Sequence, residues 1–213
     1  MADIRVGYAP ADFTDWADPS ARPAFEKAVA DIRALGVTMV ETKLPEFPYG
    51  PVVMTVITAE GGSVFEPLIR SGKVDELADA KQIAGLKASL GITAADYLKA
   101  MRIRGEMKTA FRRLFADVDV LLSPSRYGPA SKISEPVDQG LGDRPIPTTP
   151  GMNGLIGAGN LVGYPALSLP CGFAGKLPVA VQLVGLPYSE NLLIAIGKQY
   201  QTRTDWHRKR PSV

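Results

Sequence analysis

The residues whose types could do chemistry are few. Cys171, the only cysteine, closes the run GNLVGYPALSLPCGF (159–173), with Ser168 three positions before it. A thiol becomes a nucleophile through an activating base or a depressed pKa, and a lone cysteine on an apolar strand face behaves as a small buried hydrophobe. Ser63 in EGGSVFE (60–66) stands beside two glycines, a backbone suited to presenting a nucleophile. That segment reads as helix and supplies no base, so close helix packing is the preferred explanation of its small residues. His207 is the only imidazole and lies in the last residues of the chain, where a Ser/His/Asp triad is poorly served. No serine is followed at the third position by lysine, and no G-x-S-x-G elbow occurs. The catalytic residues expected in this chain are therefore none.

Phosphate and nucleotide motifs fail on context. GAGNLVG (157–163) has a glycine spacing that suggests dinucleotide binding, but PIPTTPGMN precedes it where a hydrophobic strand should be. SGK (71–73) and AGK (174–176) lack the flanking residues of a phosphate-binding loop and read as turns. No cofactor is expected, and one cysteine with one histidine cannot build a typical zinc site, so no metal is expected either.

The elements that must position any site follow from periodicity. IRVGYA (4–9) reads as a strand, Asp18-Pro19 as the start of a helix, and Phe25, Ala28, Val29, Ile32 and Leu35 as its core face, with Gly36 as the stop. VTMVETKLP (37–45) is a second strand, so the opening is a βαβ-like unit with a right-handed crossover. Helices broken near Ser71-Gly72 fill 51–90, and Thr93-Ala94-Ala95-Asp96 is a capping-box-like start for a helix to about Ala116, with Met107, Ala110, Phe111, Leu114 and Phe115 inward. VDVLLSPS (118–125) is a buried strand, and 126–152 is a long Pro- and Gly-rich loop at the strand end where α/β sheets tend to hold ligands. A short helix (about 153–162) leads to the hairpin of ALSLPCGF and LPVAVQLVG (177–185), in which Leu167, Leu169, Cys171 and Phe173 share one face. A last helix is capped by Ser189.

Composition bounds the class. Hydrophobic residues make up 46% and charged residues 22% of 213, as in ordinary globular domains, and a net charge of +2 is too even to imply nucleic acid or an anionic membrane as partner. The tail HRKRP (207–211) is the one local basic excess and reads as a solvated chain end. No window approaches the roughly 20 apolar residues of a bilayer span, and the start has no leader pattern, so a cytoplasmic location and no membrane contact are expected.

The ordered series DVDVLLSPS (117–125), NLVGYPALSLPCGF (160–173), LPVAVQLVG (177–185) and SENLLIAIGKQYQTRTDWH (189–207) closely resembles the C-terminal half of the amidase signature family. IRVGYAP with its following helix, and YLKAMRIRGEMKTAFRRLFADVDVLL (97–122), extend the likeness over nearly the whole chain. The resemblance implies an α/β fold with a mixed sheet flanked by helices, the C-terminal part of the amidase signature fold, and one domain over 1–213. It implies amide hydrolysis or amide-nitrogen transfer by two serines and a lysine, in a glycine- and serine-rich half that has no counterpart here. The chain alone should then be inert toward amides.

What this half contributes in such enzymes is acyl-pocket wall and sheet. Carried over, the pocket candidates are Ser123, Pro124, Ser125, the loop from Arg126 to Met152, and Asn153, Gly154 and Ile156. In tRNA-dependent relatives an arginine and an aspartate of this half hold the substrate; those positions fall near Ala80 to Lys81 and near Asn153, and neither residue is clearly kept. The expected function is the C-terminal part of an amidase, or of the amidase-like component of an amidotransferase, acting on a small amide only with a chain that supplies the catalytic half. The alternative is a non-catalytic interaction paralogue that associates with itself or a partner. A self-sufficient hydrolase working through Cys171 is the third reading.

Overall fold

The structure is a computed structural model that describes residues 1–134 and 145–210. The chain divides into two compact units, one formed by Met1–Pro45 with Phe111–Val213 and the other by Glu46–Ala110.

The first unit is built on a five-stranded mixed sheet. Its strands β1 (Arg5–Tyr8), β2 (Thr38–Glu41), β3 (Val120–Pro124), β4 (Ala166–Ala174) and β5 (Leu177–Val184) lie in the order β2-β1-β3-β5-β4. β1 pairs in parallel with β2 (Val6 opposite Met39) and with β3 (Gly7 opposite Leu121), whereas β5 runs antiparallel to both β3 and β4. The βαβ opening and the β4–β5 hairpin are thus as expected.

Between β1 and β2 come a one-turn helix α1 (Pro10–Phe13) and α2 (Arg22–Arg33). Phe25, Ala28 and Ile32 of α2 are fully buried, and Gly36, at φ 85°, turns the chain into β2. The helix starts later than Asp18-Pro19 suggests. The Asp18 carboxylate accepts from the backbone N–H and hydroxyl of Ser20 (2.9 and 2.5 Å), which closes a local turn instead of capping a helix, and Pro23 enters the first turn of α2.

Helix α2 and α7 (Glu190–Arg203) cover one face of the sheet, where Phe25, Ile32, Leu122, Cys171, Leu183, Ile196 and Tyr200 join one buried cluster. Ser189 precedes α7 at the N-cap, but its hydroxyl donates back to the carbonyl of Leu186 (2.7 Å) and gives no side-chain cap. Leu121 and Val184, alternating with Leu122 and Leu183, face the other side. There α6 (Leu155–Val162) approaches Val184 through Gly159, and Tyr164 meets Phe111 and Phe115 edge-on at 5.8 and 5.6 Å.

The inward alternation of β4 is broken where the sequence reads smoothly. Pro170 pairs with Ala180 and Gly172 with Val179, leaving Cys171 as the extra residue of a bulge. Beyond it Ala174 is buried in place of Phe173, which meets Trp206 edge-on at 6.2 Å.

The second unit is helical: α3 (Tyr49–Arg70), a 3-10 turn (Lys73–Glu76), α4 (Ala80–Ser89) and the first part of α5 (Ala94–Asp117), whose residues from Phe111 onward belong to the sheet unit. Thr93 starts α5 as expected, its hydroxyl oxygen accepting from the N–H of Asp96 (3.1 Å). The glycines of EGGSVFE serve packing: a Cβ on Gly62 would stand 2.7 Å from Ser89 Oγ, so α3 and α4 close at that point.

Helix α3 corrects the reading of hydropathy. Its 22 residues, with mean hydropathy 1.4 over the best 18-residue window, are long and apolar enough to cross a membrane by length and composition, and only 11% of that window is buried. Met54, Ile57, Val64 and Phe65 stand exposed along it, while Glu66 pairs with Arg70 at 2.6 Å.

Candidate functional site

Strand β3 ends in Leu-Ser-Pro-Ser, where inward apolar residues give way to hydroxyls at the carboxyl end of the strand. Ser123 is only 2% exposed and is paired in register with Gln182 of β5, which is in turn opposite Ser168 of β4. Paired residues point to the same side of a sheet, so the three make one polar row across the strands. The Gln182 Nε2 donates to Ser123 Oγ at 3.0 Å and to the carbonyl of Pro124 at 3.5 Å. Ser125 fastens β3 to β5 through its N–H to the carbonyl of Ala180 (2.9 Å), and its hydroxyl meets Ser168 Oγ at 2.9 Å.

Three of the sequence candidates, Ser123, Pro124 and Ser125, are therefore brought together, and two residues outside that set, Gln182 and Ser168, join them. Among the described residues no carboxylate, imidazole or ammonium is hydrogen-bonded to these serines. The row can accept and donate hydrogen bonds to a polar group, and it holds no base that would activate a hydroxyl. Asn153, Gly154 and Ile156 lie at the start of α6. Asn153 and Ile156 are exposed, Gly154 is the N-cap residue, and none of the three shares a hydrogen bond with the serine row.

The residue that sequence reasoning missed is Asp12. It sits in α1 between Ala11 and Phe13 with no solvent exposure, and it gathers both described ends of the 126–152 loop, of which residues 135–144 lie outside the described residues. The Tyr127 hydroxyl donates to Asp12 Oδ1 at 3.1 Å and the Met152 N–H donates to the same oxygen at 2.8 Å. Trp16 adds a second clasp, its indole N–H donating to the carbonyl of Thr149 (3.0 Å) while its ring packs 5.9 Å from that of Tyr127. A third contact runs from the Asp18 N–H to the carbonyl of Tyr127 at 2.6 Å. The other carboxylate oxygen, Oδ2, is buried with no partner. Burial pushes the Asp12 carboxyl up to about 6, against the two hydrogen bonds that lower it. The same burial, with the Asp12 charge beside it, raises the Tyr127 phenol, which stays a donor.

Gly151 is part of this clasp, because a Cβ there would lie 2.8 Å from Trp16 Nε1 and against the Asp12 carboxylate. Gly151→Ala should push the loop end off α1 and lower stability by about 1–3 kcal/mol, read by chemical denaturation. An unchanged midpoint would show that the loop end yields freely. No local signal marks Asp12 in sequence, since its partners are 115 and 140 residues away.

Cys171 is fully buried, its thiol directed at the carbonyl of Val179 (3.5 Å), and burial pushes its pKa up to about 12. A fully buried thiol turned to a backbone carbonyl is held protonated, which counts against the reading of a Cys171 hydrolase. The native chain should resist iodoacetamide and react stoichiometrically once unfolded; fast alkylation of folded protein would contradict this burial. His207 lies in a 3-10 turn (Trp206–Arg208) past the end of α7, next to Trp206.

Comparison with known proteins agrees with this architecture. A family model for amidases matches residues 2–194. The glutamyl-tRNA(Gln) amidotransferase A-subunit of Dechloromonas aromatica (strain RCB) is 32% identical over 235 residues, 98% of this chain and 46% of that protein. The A-subunit of the same enzyme from Carboxydothermus hydrogenoformans is 30% identical over 237 residues, 99% of this chain and 47% of that protein. The chain thus spans about half the length of the curated relatives it matches.

Among solved structures, a crystal structure of an amidase superposes with a TM-score of 0.78 at 23% identity, over 95% of this chain and 46% of that one. A chain described as part of an unexpected vestigial protein complex that reveals the evolutionary origins of an s-triazine catabolic enzyme gives 0.74 at 26%, over 95% and 44%. The 6-aminohexanoate cyclic dimer hydrolase gives 0.72 at 20%, over 98% and 46%, a likeness of fold. The mixed sheet, the polar end of β3 and a family match over residues 2–194 carry one conclusion: the chain belongs to the amidase family.

Proposed function

We propose that residues 1–213 act as the C-terminal region of an amidase-type enzyme or amidotransferase. In that role they supply sheet and pocket wall to a site whose nucleophilic serines and lysine base come from the other half, and alone they are inert toward amides. The observation that carries this reading is the Ser123–Gln182–Ser168 row with Ser125. It is a hydrogen-bonding wall at a strand's carboxyl end whose hydroxyls, among the described residues, hydrogen-bond only to one another, an amide and a backbone carbonyl. Such a wall can orient a carboxamide, and it has no group to take a proton from a nucleophile.

The direct test assays the purified chain on simple carboxamides and anilides, alone and mixed with a separately produced glycine- and serine-rich half of an amidase relative. Turnover only in the mixture, reduced by Gln182→Ala, is the expected result. Turnover by the chain alone that is lost in Ser125→Ala or Ser168→Ala would overturn the inert reading.

A partner follows from the exposed surfaces. β4 is a nine-residue strand at the edge of the sheet, the position where an unpaired ladder accepts another strand. In the helical unit, the exposed apolar side chains of α3 are a second adhesive surface, so self-association or a partner chain is the expected state. Sedimentation of the purified chain should show species heavier than a monomer, and a clean monomer at all concentrations would count against this.

A further inference from the structure

The basic tail reads in sequence as a solvated chain end, but the structure pins it. Trp206 packs edge-on against Phe173 at 6.2 Å, and Lys209 lies 4.6 Å above the Trp206 ring while pairing with Asp205 at 3.5 Å. The turn so fixed borders an open surface concavity of about 530 Å³, lined among others by Lys27, Gln201, Arg203, Asp205, Trp206 and Arg208. That volume is in the range of sites for small ligands.

The charges in this cavity do not cancel. Lys27 is held by Asp31, with Nζ 2.8 Å from both carboxylate oxygens, and Asp205 is engaged by Lys209. Arg203 and Arg208, which line it, have no side-chain hydrogen bond or ion pair among the described residues. The usual structural explanation for cations here is the negative end of a helix. It accounts for Arg203, which stands in the last turn of α7, but not for Arg208, which lies in the turn beyond the helix.

A second cavity of about 260 Å³, which Trp206 also lines, is bordered by Phe173, Pro178, Lys209 and Arg210. His207, which also lines it, has a buried Nδ1 with no partner. Among the described residues Arg210 donates only to the backbone carbonyls of His207 and Lys209. Cations thus line both of the cavities that Trp206 lines.

We propose that the Trp206 turn is a binding site for a small phosphate-bearing polyanion, with Arg203 and Arg208 as its principal ligands and Lys27 as a third cation. The guanidinium fork matches phosphate oxygens two at a time, and a polar concavity focuses the field of several cations on one ligand. The site is independent of the serine row and of any amide chemistry.

Calorimetric titration of the full chain with inorganic triphosphate, and in a second arm with ATP, tests the proposal. Saturable binding that weakens with added salt is expected, and the Arg203→Ala/Arg208→Ala double variant should lose at least about tenfold in affinity while Lys73→Ala keeps it. ATP binding tighter than triphosphate would assign the neighbouring apolar cavity to the base; equal affinity would assign recognition to the phosphates alone. Both arginines are exposed, so the variant should melt with the wild type without ligand, and that comparison separates lost binding from lost folding. Absence of binding in both arms, or an unchanged affinity in the double variant, would overturn the proposal.

Discussion

Between pH 4 and pH 7 the chain should lose about 2 kcal/mol of unfolding free energy through Asp12 alone, and Asp12→Asn should flatten most of that slope. The carboxyl titrates near 6 when folded against an ordinary 3.8, because a charged carboxylate with one orphaned oxygen is poorly solvated behind α1. A folded pKa raised above the unfolded one means that the unfolded chain gives up its proton first as pH rises. The stabilisation is therefore complete below about pH 4, declines as pH rises through about 6, and is gone above it. Asparagine keeps an oxygen for Tyr127 and Met152 and removes the charge, while its amide adds a buried donor whose cost does not vary with pH. The slope, measured by urea denaturation at several pH values, is the readout. An Asp12→Asn chain with the wild-type slope would refute the assignment to Asp12. Trp16 sits in the same clasp, so its fluorescence should follow the transition.

Gly172→Ala should cost about 3 kcal/mol or more. Gly172 has φ +151°, a backbone region that side chains avoid, and a Cβ there would stand 2.7 Å from the Cβ of Ala24 in α2. Backbone strain and overpacking each contribute on the order of 1–3 kcal/mol. Ala24→Gly in the same chain removes the clash and leaves the strain, at a helix cost of about 1 kcal/mol, so the two substitutions should be non-additive, with the double variant more stable than their sum. A Gly172→Ala chain within about 0.5 kcal/mol of wild type would show that the helix α2 contact is not tight. The bulge explains why this glycine is critical: the extra residue Cys171 lets β4 bring its backbone against α2 at one point.

Much of the architecture was legible because it rests on local periods. The inward face of α2, the parallel βαβ opening, the capping at Thr93 and the β4–β5 hairpin each follow from residues close in sequence. Where two local options compete, the structure departs from the local pattern. Asp18 uses its carboxylate in a turn with Ser20 and leaves α2 to begin at Arg22, and the Cys171 bulge shifts the alternation that would have buried Phe173. Of the candidate site, the end of β3 is suggested by the family resemblance, whereas Gln182 and Ser168 join it only through strand register.

Sequence alone determined the family, the strand-and-helix order and the inertness expected of Cys171, since these depend on motif order, hydrophobic period and residue type. Only tertiary structure decided that Asp12 holds the loop after β3, that the apolar side of α3 stands open, and that the basic tail lines a cavity around Trp206. Burial, orphaned polar atoms and unpaired charge are properties of surroundings assembled from distant segments, and no window along the chain contains them.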